Sequence, residues 1–107
     1  MRLANKTERE NLWHTSFHGT EVSCTANELT EILGKDNIGK SGDGKSLYNW
    51  LVKFGDQYFT IYDWKEYRNF SKNEMIDWHI GSALTEKEEQ IFRDALKEKL
   101  TELRSRD

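Results

Sequence analysis

The chain contains no proline, only one cysteine (Cys24), and no apolar run near the roughly 18–20 residues that span a bilayer. A lone cysteine excludes an intramolecular disulfide framework. The N-terminal "MRLANKTEREN" lacks the apolar core of a secretory leader, so the expected setting is soluble and intracellular. The sequons at Asn5 and Asn69 are then without a glycosylating compartment. An excess of basic charge is also missing: 16 Lys and Arg stand against 19 Asp and Glu, for a net charge of −3. Sequence-independent nucleic-acid affinity draws on clustered cations, and this balance gives no strong signal of it. The charge is equally too mild for an acidic DNA mimic. With no Cys-x2-Cys pair, neither a metal nor a cofactor is implied.

What is present fits one domain, residues 1–107, with one modest core. Charged residues make up 33% and aromatics 12%, so a few large rings, each able to bury about 150–250 Å², must supply much of that core. Met1 to Asn11 is charged and reads as an arm, flexible or ordered only on a partner. The interior segment Gly34 to Lys45, "GKDNIGKSGDGK", places four glycines in twelve residues and reads as a loop within the domain.

Two capping boxes announce helices. "TANE" at Thr25 to Glu28 precedes Leu29, Ile32 and Leu33 at helical spacing, with Gly34 as a left-handed stop. "TEKE" at Thr85 to Glu88 opens a C-terminal helix whose apolar stripe is Ile91, Phe92, Ala95, Leu96, Leu100 and Leu103. The residues between these are polar, so that helix packs one face and solvates the rest.

Strands fill the middle. Ser46 to Phe54 and Gln57 to Trp64 flank Gly55–Asp56, where glycine first suits a type II′ hairpin. A two-residue loop pairs Phe54 with Gln57, Val52 with Phe59 and Trp50 with Ile61, gathering the apolar set on one side. A three-residue loop pairs Trp50 with Tyr62 and inverts the facing, so the shorter loop is preferred. Met75 to Ile80 is expected as a third strand, with Ile76, Trp78 and Ile80 inward. Phe17 to Ser23 is a weaker first strand. The expected fold is α+β: a small, mainly antiparallel sheet in the order β-α-β-β-β-α, with two helices on one face. The other face would carry Leu47, Asn49, Leu51, Lys53, Tyr58, Thr60, Tyr62 and Trp64. Such an uncovered apolar face marks a binding surface or a homo-oligomer interface.

The chemistry this pattern offers is binding. "SGDGKS" holds glycines, Lys45 and the hydroxyls of Ser41 and Ser46, the materials of an anion nest. It is not a P-loop, because "LYNWLVKF" after it is a strand pattern where a P-loop needs a helix N-terminus. Asp63, Asp77 and His79, with His14 or His18, could be assembled into acid/base chemistry, the basis of an alternative reading as a small hydrolase or nuclease. Tyr62, Trp64, Lys65 and Arg68 fit binding better, since flat rings stack a base while cations hold phosphate. They equally suit a protein hot spot. Trp78, in phase with Ile76 and Ile80, reads as core.

The ordered trio "SGDGK", "FTIYDWKEYR" and "WHIG" resembles a family of small accessory proteins encoded by tailed phages, most of them without an assigned function. The resemblance runs from Phe17 to the start of the C-terminal helix and leaves out the N-terminal arm and "GSALTEKEEQ". It implies a non-enzymatic viral protein in the host cytoplasm that counters a host defence. Such proteins bind a defence protein, as anti-CRISPR proteins do, or sequester a nucleotide signal. The matched positions are Ser41, Gly42, Asp43, Gly44, Lys45, Tyr62, Asp63, Trp64, Lys65, Trp78, His79 and Gly81. Joining both lines of argument, the expected binding residues are Ser41, Asp43, Lys45, Asn49, Tyr62, Asp63, Trp64, Lys65, Arg68 and His79. The expected partner is a host protein or a small anionic nucleotide-like ligand. A phage structural or assembly protein is the remaining alternative.

Overall fold

A computed structural model describes residues 1–40, 46–64 and 70–106. Five strands form one antiparallel sheet: β1 Arg2–Leu3, β2 Ser16–Cys24, β3 Asn49–Phe54, β4 Gln57–Tyr62 and β5 Ile76–Ser82. Their spatial order is β1-β3-β4-β5-β2. Helices α1 (Ala26–Leu33) and α2 (Glu86–Arg104) pack on one face, and a 3-10 helix, Lys6–His14, follows β1. The α+β class and the β-α-β-β-β-α order are those the sequence implies, with β1 and the 3-10 helix added ahead of them.

The β3–β4 hairpin has the two-residue register, Phe54 opposite Gln57, Val52 opposite Phe59 and Trp50 opposite Ile61. Gly55 has φ +62°, the positive value a II′ turn needs at its first position. This register turns Trp50, Val52, Phe59 and Ile61 into the core, where Ile76, Trp78 and Ile80 of β5 join them. Both helices begin with the expected boxes, Thr25 with Glu28 and Thr85 with Glu88. Gly34, at φ +101°, closes α1.

Two buried tryptophans fix α1 at both ends. The Trp78 indole N–H donates to the Cys24 carbonyl at 2.9 Å, just before the N-cap, and the Trp50 indole N–H donates to the Gly34 carbonyl at 2.8 Å, at the C-cap. The two rings meet edge to face at 5.5 Å. On the other side of the core Phe92 of α2 stacks on Phe59 with centroids 4.4 Å apart.

Two expectations need correction. Ile91 is 53% exposed, and the buried stripe of α2 runs through Glu89, Phe92, Leu96 and Leu100. The second sheet face is also not bare. The N-terminal segment bears on it: β1 extends the sheet at the β3 edge, the Ala4 N–H donates to the Leu51 carbonyl at 2.9 Å, and the 3-10 helix packs against β4. The Asn37 side chain bonds Ala4 and Leu51 as a strand would, accepting from the Leu51 N–H and donating to both carbonyls. Leu51 and Thr60, expected outward, are buried as a result. Part of that face stays open: Trp64 is 40% exposed.

Glu8 anchors the arm. Its carboxylate takes both Arg2 guanidinium nitrogens at 2.9 and 3.1 Å, the Asn5 N–H at 2.9 Å and the Tyr58 hydroxyl at 2.6 Å. The Arg2 bond first, then those of Asn5 and Tyr58, hold its carboxyl down to about 2, from an ordinary 4.5. A carboxyl held down this way stabilises the docked arm above its ordinary range, and the contribution is lost as pH falls from there towards about 2. Amide protection over residues 4–12, measured relative to the intrinsic exchange rate at each pH, should therefore fall across that acid window in the native chain and show no such window in Glu8→Gln. In the core, Trp78→Phe leaves the Cys24 carbonyl without its donor and should lower unfolding free energy by about 1–3 kcal/mol in urea titrations.

Candidate functional site

Where β4 ends and the chain enters β3, one buried side chain joins the two. The Asp63 carboxylate accepts the Leu47 N–H at 2.9 and 3.0 Å and the Tyr48 N–H at 2.8 Å. Asp63 is 1% exposed, and among the described residues these contacts satisfy its buried carboxylate. The residue expected to bind a ligand therefore organises the mouth of the hairpin. It places Asn49, Tyr62 and Trp64 on one side of the sheet.

Beside that mouth is an aromatic cluster. Phe17 stacks on His79 with centroids 3.8 Å apart and planes within 9°. Trp64 lies 6.2 Å from the same imidazole, nearly parallel, and Tyr62 meets it edge-on at 5.5 Å. Phe17 and Trp64 are each 40% exposed, which leaves ring surface for a ligand or partner. Burial lowers the His79 pKa below its ordinary 6.5, with the Glu21 carboxylate partly opposing. At neutral pH the cluster is thus an uncharged stack. Burial, then the Glu89 charge, raises the Tyr62 phenol, which stays protonated and able to donate.

The end of the 3-10 helix borders an open pocket of about 230 Å³ next to this cluster. Leu12 and Thr15 come from the helix side, Tyr62 and Trp64 form the aromatic wall, and Thr60 and Gly81 lie beneath. Gly81 is needed there by close approach. A Cβ would come within 2.9 Å of the Thr60 hydroxyl and 3.1 Å of the Ser16 carbonyl oxygen. Asn49 also lines the pocket, and its side-chain oxygen is buried without a hydrogen-bond partner among the described residues.

Of the expected binding residues, the structure brings together Asn49, Tyr62, Trp64 and His79 and gives Asp63 the supporting role described. Ser41, Asp43, Lys45, Lys65 and Arg68 lie outside the described residues. Leu12, Thr15, Ser16 and Thr60 were missed. The first two follow directly on the arm, at the end of the 3-10 helix, whose path nothing local in the sequence specifies. Gly81 was visible only as the last letter of "WHIG".

The acid/base alternative finds its groups separately engaged. Asp63 holds backbone N–H groups, Asp77 accepts from the Ser23 hydroxyl, and His79 is stacked on Phe17. His14 ends the 3-10 helix whereas His18 belongs to β2. Among the described residues no three His, Cys, Asp or Glu side chains stand together as a metal site. A polar cluster that the sequence reading overlooked lies at the start of α2. Glu89, fully buried, accepts from the Ser82 hydroxyl at 2.5 Å and lies 2.6 Å from His18 Nδ1 and 3.4 Å from the Thr20 hydroxyl. Its place three residues before Phe92, on the buried stripe, was the available signal.

Comparison with protein-family models, with curated proteins and with solved structures finds no match for this chain.

Asp63→Asn removes the charge that both N–H groups meet and sets an amide N–H2 against the Leu47 N–H, and should cost roughly 1.5–3 kcal/mol in chemical denaturation. His79 has the same sign of linkage as Glu8, in a higher pH window. The unfolded chain binds its proton at higher pH than the folded one, so stability should fall as pH drops below about 6.5. The difference between the native chain and His79→Phe, measured across that range, should show this loss.

Proposed function

We propose that this chain is a non-enzymatic binding protein whose contact surface is the aromatic end of its second sheet face. The observation carrying the reading is the open pocket beside Tyr62 and Trp64, bordered by the end of the 3-10 helix and lined by Asn49, Thr60 and Ser16. Ligand sites combine an aromatic or apolar lining with a few placed polar groups, and this pocket has both. With the phage resemblance, the biological role is a small accessory viral protein that counters a bacterial defence in the host cytoplasm by sequestering a nucleotide-like signal.

A second mode has its own observation. Phe17 and Trp64 present exposed rings at the rim, the residue types that anchor protein hot spots, and they favour docking on a defence protein. Both modes use Trp64. The Trp64→Ala chain should keep its thermal unfolding midpoint within a few degrees, because the ring is partly exposed, yet lose capture of the ligand or partner by about tenfold or more. Retention of full binding or full counter-defence activity by that variant would remove this surface from consideration. His79→Ala with undiminished biological effect would dispose of the hydrolytic alternative.

A further inference from the structure

The outer flank of the sheet carries a second surface, apart from the aromatic pocket. β2 stands at the end of the spatial order, next to β5. Its residues Ser16 to Gly19, Glu21 and Ser23 are exposed. α2 runs alongside it and meets it at both ends: Glu89 Oε2 lies 2.6 Å from His18 Nδ1, and Arg104 Nη2 lies 3.5 Å from the Ser23 carbonyl oxygen. Between strand and helix a crevice of about 220 Å³ stays open, with the buried Val22 and Leu100 at its floor.

One wall of the crevice is backbone. The Ser23 carbonyl is turned towards it, since a guanidinium of α2 approaches that oxygen. Backbone groups of residues two apart point the same way in an antiparallel strand, so those of Glu21 face outward with those of Ser23. An open edge of this kind accepts a further strand. The opposite wall is basic: Arg93, Lys97 and Arg104 recur at i, i+4 and i+11, on one face of the helix. Glu28 neutralises Arg104 with bonds of 2.6 and 3.1 Å, and Glu21 lies 3.8 Å from His79 Nε2 on the other side of the sheet. Asp94 meets Arg93 Nε at 3.3 Å in an exposed pair, which counts for little in water. Arg93 and Lys97 are thus the cations offered to a ligand, in a chain of net charge −3.

Spacing matches an extended chain to this wall. Alternate side chains of an added strand fall on the helix side roughly 6.6–6.8 Å apart. Four residues of α2 rise about 6 Å, so consecutive helix-side residues of that strand come opposite Arg93 and Lys97. We propose that the β2 edge takes, by strand addition, an extended segment of a partner protein with carboxylates at every second position. Its backbone pairs with Glu21 and Ser23, and two of its carboxylates meet Arg93 and Lys97. A second copy of this chain is the poorer occupant, because two β2 edges joined antiparallel set the basic faces of both α2 helices against each other. A phosphodiester strand brings no row of N–H donors to the edge carbonyls.

Fluorescence polarisation of a labelled octapeptide of alternating Glu and Val, titrated with the full chain at low salt, tests this. The expected result is saturable binding that weakens as salt is added, with no binding of the matching Lys and Val peptide. Lys97→Glu, at an exposed position, should weaken it by about tenfold, since one attraction becomes a repulsion, and Arg93→Glu should act alike. N-methylation of alternate peptide bonds should abolish binding in one phase and leave it in the other, because only one set of N–H groups meets the edge. Trp64→Ala should bind the peptide as the native chain does, because that ring borders the other pocket. Undiminished binding by Lys97→Glu, or equal tolerance of both methylation phases, would overturn the strand site. So would silence of the acidic peptide at millimolar concentration, its displacement by a short oligothymidylate, or a native dimer in light scattering whose β2 amides are protected from exchange.

Discussion

The Asp63 carboxylate, buried and bonded to the backbone N–H groups of Leu47 and Tyr48, is the interaction on which the site depends. It ties the exit of β4 to the entrance of β3, so the open end of the hairpin is held as firmly as the end closed by Gly55. Asn49 follows immediately on one strand, and Tyr62 and Trp64 flank Asp63 on the other. A buried charge that lost these donors would be without compensation, which makes the arrangement a constraint on local geometry as well as a contact.

A second carboxylate does comparable work for the N-terminal arm. Glu8 collects Arg2, Asn5 and Tyr58 and thereby lays the 3-10 helix over the face that α1 and α2 leave open. Without that cover Leu51 and Thr60 would face solvent and the pocket would be an open sheet. The arm thus covers part of a surface that looked suited to self-association and leaves an open pocket beside it. The aromatic stack of Phe17, His79 and Trp64 remains at its edge, kept uncharged by the burial of His79.

The two "DW" sequences, alike on paper, do different things. Trp78 is fully buried and spends its indole N–H on the Cys24 carbonyl, pinning the start of α1. Trp64 is partly exposed at the pocket rim. Their aspartates diverge in the same way: Asp63 is interior and bonded to backbone, while Asp77 is exposed and meets Ser23. Position along the strand decides this, since each residue outward from a core strand changes side and depth.

Local pattern carried most of the fold. Alternation and a two-residue glycine turn determined the hairpin register, and the Thr-x-x-Glu boxes and apolar spacing determined both helices, because these signals act between residues near in sequence. From that register alone Asn49, Tyr62 and Trp64 could be placed on one face, and His79 joined them by strand parity. What only the tertiary structure decided were contacts between distant segments. The arm over the second face depends on Glu8 meeting Tyr58, and the burial of Glu89 depends on Ser82 and His18 converging on it. A charged side chain reads as solvated in sequence, and its burial becomes favourable only when partners from elsewhere in the chain arrive to satisfy it. The face of the sheet was legible in the sequence. The cover over part of it was not.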